Sequence, residues 1–201
     1  LASVDAVIAP TAEATIAVAD EGLIRGDGVF EVIRLYGGQP FALADHLDRL
    51  ERSGEAIELA VDRGPLETEI DAVLSEYGEH DGQLRVVLTR GGRRILLTEP
   101  LPPRGATLSV ATVTYSPSVI LTGVKTLSYA ANMQATRLAK RARADEAVLV
   151  RPDGIVLEAP TSALFWATGD GALRTPEIAA GILQSITRAR LIDALDVEEG
   201  S

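Results

Sequence analysis

Lysine is rare in this chain: of its 19 basic residues only Lys125 and Lys140 are lysines, and the rest are arginines. An arginine-rich genome accounts for that excess by itself, but it makes each remaining lysine worth weighing. Lys140 lies in Lys140-Arg141-Ala142-Arg143 at the end of a candidate helix, where cations complement the dipole, and reads as a solvated surface residue. Lys125 sits between Ile120-Leu121-Thr122-Gly123-Val124 and Thr126-Leu127-Ser128-Tyr129, with no charged neighbour in either stretch. There an ammonium can lose its proton and form an imine with a carbonyl, which a guanidinium does not do. The competing reading is a lysine that snorkels to the surface.

Two further signals lie downstream. Ser185-Ile186-Thr187-Arg188 opens a candidate helix, with Ser185 as N-cap and Ile186, Leu191 and Leu195 inward. Amides at such a start, with the Thr187 hydroxyl, can cradle a phosphate, although an ordinary capped helix reads the same way. Glu158 closes the apolar run Ile155-Val156-Leu157 just before Ala159-Pro160-Thr161-Ser162, where its carboxylate is either aimed at a ligand or a strand-end charge in water. Together, an imine-capable lysine, a phosphate-binding helix start and an inward carboxylate are what pyridoxal 5'-phosphate demands.

The elements that must position these groups follow from hydrophobic period. Short apolar runs at Ala6–Ala9 and Ile16–Ala19 read as strands, as does Val29–Tyr36, with Glu31 and Arg34 interleaved, up to the Gly37-Gly38 turn. Leu43, Leu47, Leu50 and Ile57 then share a helical face, and Asp48, Glu51, Arg52 and Glu55 lie opposite. A second helix follows Pro65 and stops at Gly78. Strands are expected at Leu84–Thr89 and Arg94–Thr98, about the Arg90-Gly91-Gly92-Arg93 turn, and through Leu108, Val110, Thr112 and Thr114. Residues 116–123 show neither period and are expected to link two domains, an N-terminal α/β domain over 1–115 and a C-terminal cofactor-binding domain over 124–201. The second holds a helix over Tyr129–Arg143, strands over Glu146–Arg151, Ile155–Glu158 and Ala163–Ala167, and the helix from Ser185. The class is α+β in two lobes.

Composition removes competing chemistries. The chain has 201 residues, 46% of them hydrophobic, enough for a real core, and lacks the run of about 18 apolar residues that a membrane span needs. No basic, apolar leader opens it. With no cysteine there is no disulfide or thiolate site, and the simplest compartment is the cytosol. Its two histidines, His46 and His80, form no zinc motif, and neither GxSxG nor GxxxxGK[ST] occurs. Gly26-Asp27-Gly28 lacks the third glycine of a dinucleotide fingerprint. A net charge of −10 argues against nucleic acid as a partner.

The order of motifs resembles the class IV, fold-type IV pyridoxal-phosphate enzymes: branched-chain and D-amino-acid aminotransferases, (R)-amine transaminases and aminodeoxychorismate lyase. The resemblance rests on Asp20-Glu21-Gly22 through Gly26-Asp27-Gly28-Val29-Phe30-Glu31, on His46-Leu47-Asp48-Arg49-Leu50 and on Val124-Lys125-Thr126-Leu127. It continues through Ala144-Asp145-Glu146-Ala147, Leu157-Glu158-Ala159, Leu164-Phe165, Thr175-Pro176 and Ile182-Leu183-Gln184-Ser185-Ile186-Thr187-Arg188. It implies Lys125 as the Schiff-base lysine, Glu158 as partner of the pyridine nitrogen and Arg49 as the phosphate arginine. Ser185, Ile186 and Thr187 would form the helix-start phosphate site, and Tyr129 would bond the cofactor's phenolic oxygen. Two α/β lobes with the cofactor between them, in a homodimer, are implied as well.

Two departures stand out. Ala163 replaces the asparagine common after the serine of its motif, and family members usually continue for tens of residues past the last helix, so the C-terminal domain is expected to be incomplete. For the substrate carboxylate, Arg25, Arg93 and Arg94 are candidates, since guanidinium forks bind carboxylates in bidentate fashion; Arg93 and Arg94 could equally be a solvated hairpin tip. The Thr89-Arg90-Gly91 turn looks closer to the D-amino-acid and lyase branches, so the expected reaction is transfer from a D-amino acid to an α-keto acid. A lyase eliminating pyruvate, a branched-chain or (R)-amine transaminase, and a non-catalytic relative or fragment are the alternatives.

Overall fold

Val29, Glu31, Ile33 and Leu35 point to one side of a single long strand, and that alternation organises the first part of the molecule. In the computed structural model, which describes residues 1–103 and 105–200, the chain forms two units: residues 1–103 with 124–128, and residues 104–123 with 129–201.

The first unit opens with β1 (Ala2–Val4), β2 (Val7–Ala9) and a short helix α1 (Glu21–Arg25) capped by the Asp20 carboxylate. There follow β3 (Gly28–Tyr36), β4 (Gln39–Pro40), α2 (Leu43–Ala56), α3 (Arg63–Tyr77), β5 (Gly82–Thr89) and β6 (Arg94–Glu99). The strands make one antiparallel sheet in the order β2-β1-β6-β5-β3-β4. Val29, Ile33, Leu35, Leu84, Val86, Leu88 and Leu96 form a core with Leu47 and Leu50 of α2 and Leu66, Ile70 and Val73 of α3. Helix α3 begins two residues before Pro65, whose missing N–H costs nothing in a first turn that has no acceptors for its amides.

The second unit contains β7 (Val110–Thr114), α4 (Ala130–Arg141) and β8 (Glu146–Val150). Strands β7 and β8 run parallel, Val110 opposite Glu146, and α4 packs on both. Its core is built largely of alanines, Ala135, Ala139, Ala147 and Ala180, around Leu149, Leu157 and Ile182. A second small sheet joins β9 (Trp166–Ala167), β10 (Leu173–Thr175) and β11 (Val197–Glu199), with helix α5 (Ile186–Ala194) between the last two in sequence.

Several expectations change. The chain divides after Pro103 rather than at 115, because β7 finds its partner in β8; Val124–Ser128 return to the first unit, so residues 116–123 do not mark a simple boundary. Residues 116–123 hold a single 3-10 turn at Val119–Leu121. The run Ile16–Ala19 is not a strand. Nor is Ile155–Glu158 a full one: it folds back on β8 through a bridge of Val156 to Val150 and backbone bonds between Leu149 and both Leu157 and Glu158. Helix α5 buries Ile186 and Arg188, whereas Leu191 and Leu195 are exposed. Among the described residues no helix is long and apolar enough to cross a membrane.

Candidate functional site

Lys125 belongs to a short extended stretch that docks on the start of β3. Phe30 N donates to the Lys125 carbonyl at 3.0 Å, Leu127 N to the Gly28 carbonyl at 2.9 Å, and Thr126 bridges Val29. Ser128 Oγ donates to the Gly26 carbonyl at 3.1 Å, and Lys125 N to Ser53 Oγ of α2 at 3.2 Å. The approach requires the glycines of Gly26-Asp27-Gly28. Gly26 takes a left-handed φ of 67° to cap α1, and a Cβ on Gly28 would lie 2.3 Å from the Leu88 carbonyl and 2.6 Å from Leu127 Cδ1. Lys125 Nζ comes to rest 4.4 Å from the centroid of the buried Phe30 ring, within cation–π range.

Beside this stretch lies a buried polar cluster. Glu31 has no exposed surface, and its two carboxylate oxygens accept Arg49 Nε at 2.7 Å and Nη2 at 2.6 Å, a bidentate fork. His46 Nδ1 is 2.8 Å from the Oε2 that also takes Arg49 Nη2. Burial alone pushes the Glu31 carboxyl up, but the Arg49 and His46 hydrogen bonds, with the charges of Arg49 and Lys125, outweigh it and hold the group below its ordinary range. The carboxylate is therefore ionised, and His46 must present Nδ1–H to it. His46, Arg49 and Ser53 lie at i, i+3 and i+7, one polar stripe on the buried face of α2.

In the second unit Glu158 follows β8, and its Oε1 accepts Leu183 N at 3.2 Å. Burial, and then the negative charge of Glu158, push the Tyr115 phenol up, which places the two side chains in the same neighbourhood. The turn after Glu158 is fixed from α4: Tyr129 Oη and Asn132 Nδ2 both donate to the Pro160 carbonyl, the second at 3.1 Å. Ser185 caps α5 by accepting Arg188 N at 3.2 Å, so its hydroxyl is engaged; Ile186 is buried and Thr187 exposed at the first turn. The helix start is locked by buried Arg188, which donates to Thr175 Oγ1 at 3.2 Å, to the Pro176 carbonyl at 2.7 Å and to Glu199.

The three arginines expected for a carboxylate fare differently. Arg93 pairs with Asp5, and Arg94 Nε donates at 3.0 Å to the buried carboxylate of Glu69, which also accepts Ser3 Oγ and Ala6 N. These two arginines are engaged in fastening the β5–β6 turn to the β1–β2 turn and α3. Arg25 keeps 70% of its side chain exposed and meets Glu21 at 3.1 Å, an exposed pair of the kind worth little and easily exchanged. No site role followed from the sequence for Glu31, His46, Phe30, Tyr115 or Arg90, although Phe30, Glu31 and His46 lie in the motifs that carry the resemblance and Arg90 in the Thr89-Arg90-Gly91 turn. Arg90 clamps Asp27 at 2.8 Å and the carbonyls of Ile57 and Glu58. The signal for Glu31 was its parity: it shares the inward register of Val29, Ile33 and Leu35.

Residues 28–201 match the model of the family described as amino-transferase class IV. A Methanocaldococcus jannaschii protein provisionally named a branched-chain-amino-acid aminotransferase is 34% identical, over 94% of this chain and 72% of its own length. A Mycobacterium tuberculosis bifunctional aminodeoxychorismate lyase / D-amino acid transaminase is 29% identical, over 87% of this chain and 70% of its own. Among solved structures, the fold IV transaminase CpuTA1 of Curtobacterium pusillum aligns with a TM-score of 0.82 at 29% identity, covering 96% of this chain and 76% of that one. A Mycobacterium tuberculosis hypothetical aminotransferase in its PLP-bound form aligns at 0.89 and 25% identity, covering 99% and 80%.

Proposed function

Because the chain belongs to the class IV aminotransferase family and works with pyridoxal phosphate, we propose that it transfers an amino group from a D-amino acid to an α-keto acid. Its residues suit that cofactor by kind. Lys125 is a half-buried amine, Arg49 a buried guanidinium fixed in direction by Glu31, and Glu158 a carboxylate steadied by a backbone amide. The start of α5 offers the amides that phosphate binding uses.

When bound, pyridoxal phosphate supplies an electron sink for the pair left on the substrate carbon. The residues do the rest. Lys125 would hold the cofactor through the cofactor's aldehyde carbon, and its free amine would move the proton at the substrate Cα. Arg49 would hold the phosphate, and the amides at Ile186 and Thr187 are of the kind that would also bind it. Glu158 would hold the ring nitrogen in its protonated form, and Tyr129 would bond the phenolic oxygen. Arg25 is the fork for the substrate carboxylate, since Arg93 and Arg94 are engaged in structural pairs. The working form is a cytoplasmic homodimer.

The observation that carries this reading is the placement of Lys125 on a docked extended stretch over the Phe30 ring, beside the Glu31–Arg49 pair. Lys125→Ala is expected to lower turnover at least a thousandfold and to remove the near-visible absorbance of bound cofactor; activity within tenfold of wild type would refute the assignment. Elimination of pyruvate from aminodeoxychorismate is the second reading, favoured by the bifunctional relative. Aminodeoxychorismate alone, alongside a panel of D- and L-amino acids with and without an α-keto acid, separates the two, because only amino transfer needs the acceptor at every turnover.

A further inference from the structure

The buried cluster around Glu31 has a role in the reaction beyond holding the fold. We propose that Glu31 is a positioning residue: its carboxylate, fixed by His46, aims the Arg49 guanidinium at the cofactor phosphate and keeps it aimed before the cofactor arrives. The inference rests on Arg49 as the phosphate arginine and goes beyond it by assigning the group that makes Arg49 effective.

The geometry distinguishes orienting from mere pairing. A single contact would leave the guanidinium free to swing, but Nε and Nη2 together, at 2.7 and 2.6 Å on different oxygens of one carboxylate, fix the plane of the fork. The carboxylate is itself held, since β3 buries it completely and His46 Nδ1, one turn before Arg49 on α2, engages Oε2 at 2.8 Å. Arg49 is a long side chain whose rotamer freedom is thus lost on folding rather than on binding, which is how preorganisation raises affinity. Glu31 also lies where the charges of Arg49 and Lys125 both reach it, so one buried anion balances both cations.

Cofactor-free protein, prepared from the holoenzyme, should be titrated with pyridoxal 5'-phosphate and with phosphate-free pyridoxal, following absorbance. Glu31→Gln keeps the shape but offers one carbonyl oxygen where the fork needs two acceptors. It is expected to weaken pyridoxal 5'-phosphate at least tenfold, about 1.4 kcal/mol, and to change pyridoxal less than twofold. Arg49→Gln should show the same selective loss, and the double variant should be no weaker than Arg49→Gln alone. A residue that only stabilised the fold would weaken both ligands alike, and that result, or an unchanged pyridoxal 5'-phosphate affinity in Glu31→Gln, would overturn the proposal while leaving Arg49's role intact. An unchanged affinity in Arg49→Gln would instead remove the reading on which it stands. If Glu31→Gln does not fold, Glu31→Asp withdraws the carboxylate by one methylene and keeps the charge. It is expected to lose at least threefold on pyridoxal 5'-phosphate alone, and an equal loss on both ligands would again overturn the proposal.

Discussion

Glu31 combines full burial, a bidentate guanidinium and a histidine in one residue, and its charge should be visible in stability as well as in binding. Its carboxyl is held below the ordinary value of 4.5 in the folded protein. On acidification the unfolded chain therefore takes up this proton first. The stabilisation is complete above about 4.5 and drains away as pH falls from there through the folded value. Breaking a buried pair by removing one partner costs roughly 3–5 kcal/mol. Urea unfolding of wild type and Glu31→Gln should accordingly differ by about 3 kcal/mol at neutral pH, and the difference should shrink steadily as pH falls below about 4.5, where the unfolded carboxyl takes up its proton. A difference independent of pH would mean that the carboxylate contributes by shape alone. The sequence displayed this residue without explaining it: its place between Phe30 and Val32 gives its inward parity, but only the fold brings His46 and Arg49 opposite.

At the scale of elements, periodic segments were readable and sparse ones were not. The apolar stripe of α2 stood out in Leu43, Leu47 and Leu50, and so did the β5–β6 hairpin around its glycine turn. Ile16–Ala19 has strand-like composition but, among the described residues, no partner strand to complete its ladder, and α1 is too short at five residues to show a period. The polar stripe His46, Arg49 and Ser53 was present in the spacing, yet it stands out only once β3 is known to carry a buried acid. The stretch 124–128 owes its position to backbone bonds with β3 and to the bare Gly28, a contact across about a hundred residues that no local pattern encodes. Gly28→Ala tests that docking. Its Cβ would meet a backbone carbonyl that cannot rotate away, so a loss of about 1–3 kcal/mol in stability is expected, with weaker cofactor binding as Lys125 is displaced. Unchanged cofactor affinity in the folded variant would separate Lys125 from the glycine turn.

For the molecule as a whole, an acidic surface with a net charge of −10 surrounds local cationic groups assigned to anionic ligands. In the proposed reading, Arg49 and Lys125 of the first unit, and separately the amides of α5 of the second, would take anions against the average field. The division into units was the least legible feature, because β7 is matched by a strand 36 positions further along, at Glu146 opposite Val110, and parallel pairing leaves no turn signal in between. The proposed chemistry nevertheless rests on one nitrogen, and the scarcity of lysine makes it simple to locate. Borohydride reduction of the cofactor-loaded protein, followed by peptide mass mapping, fixes the cofactor to whichever amine holds it. The pyridoxyl group is expected on Lys125; finding it on Lys140, or on neither lysine, would contradict the assignment of Lys125.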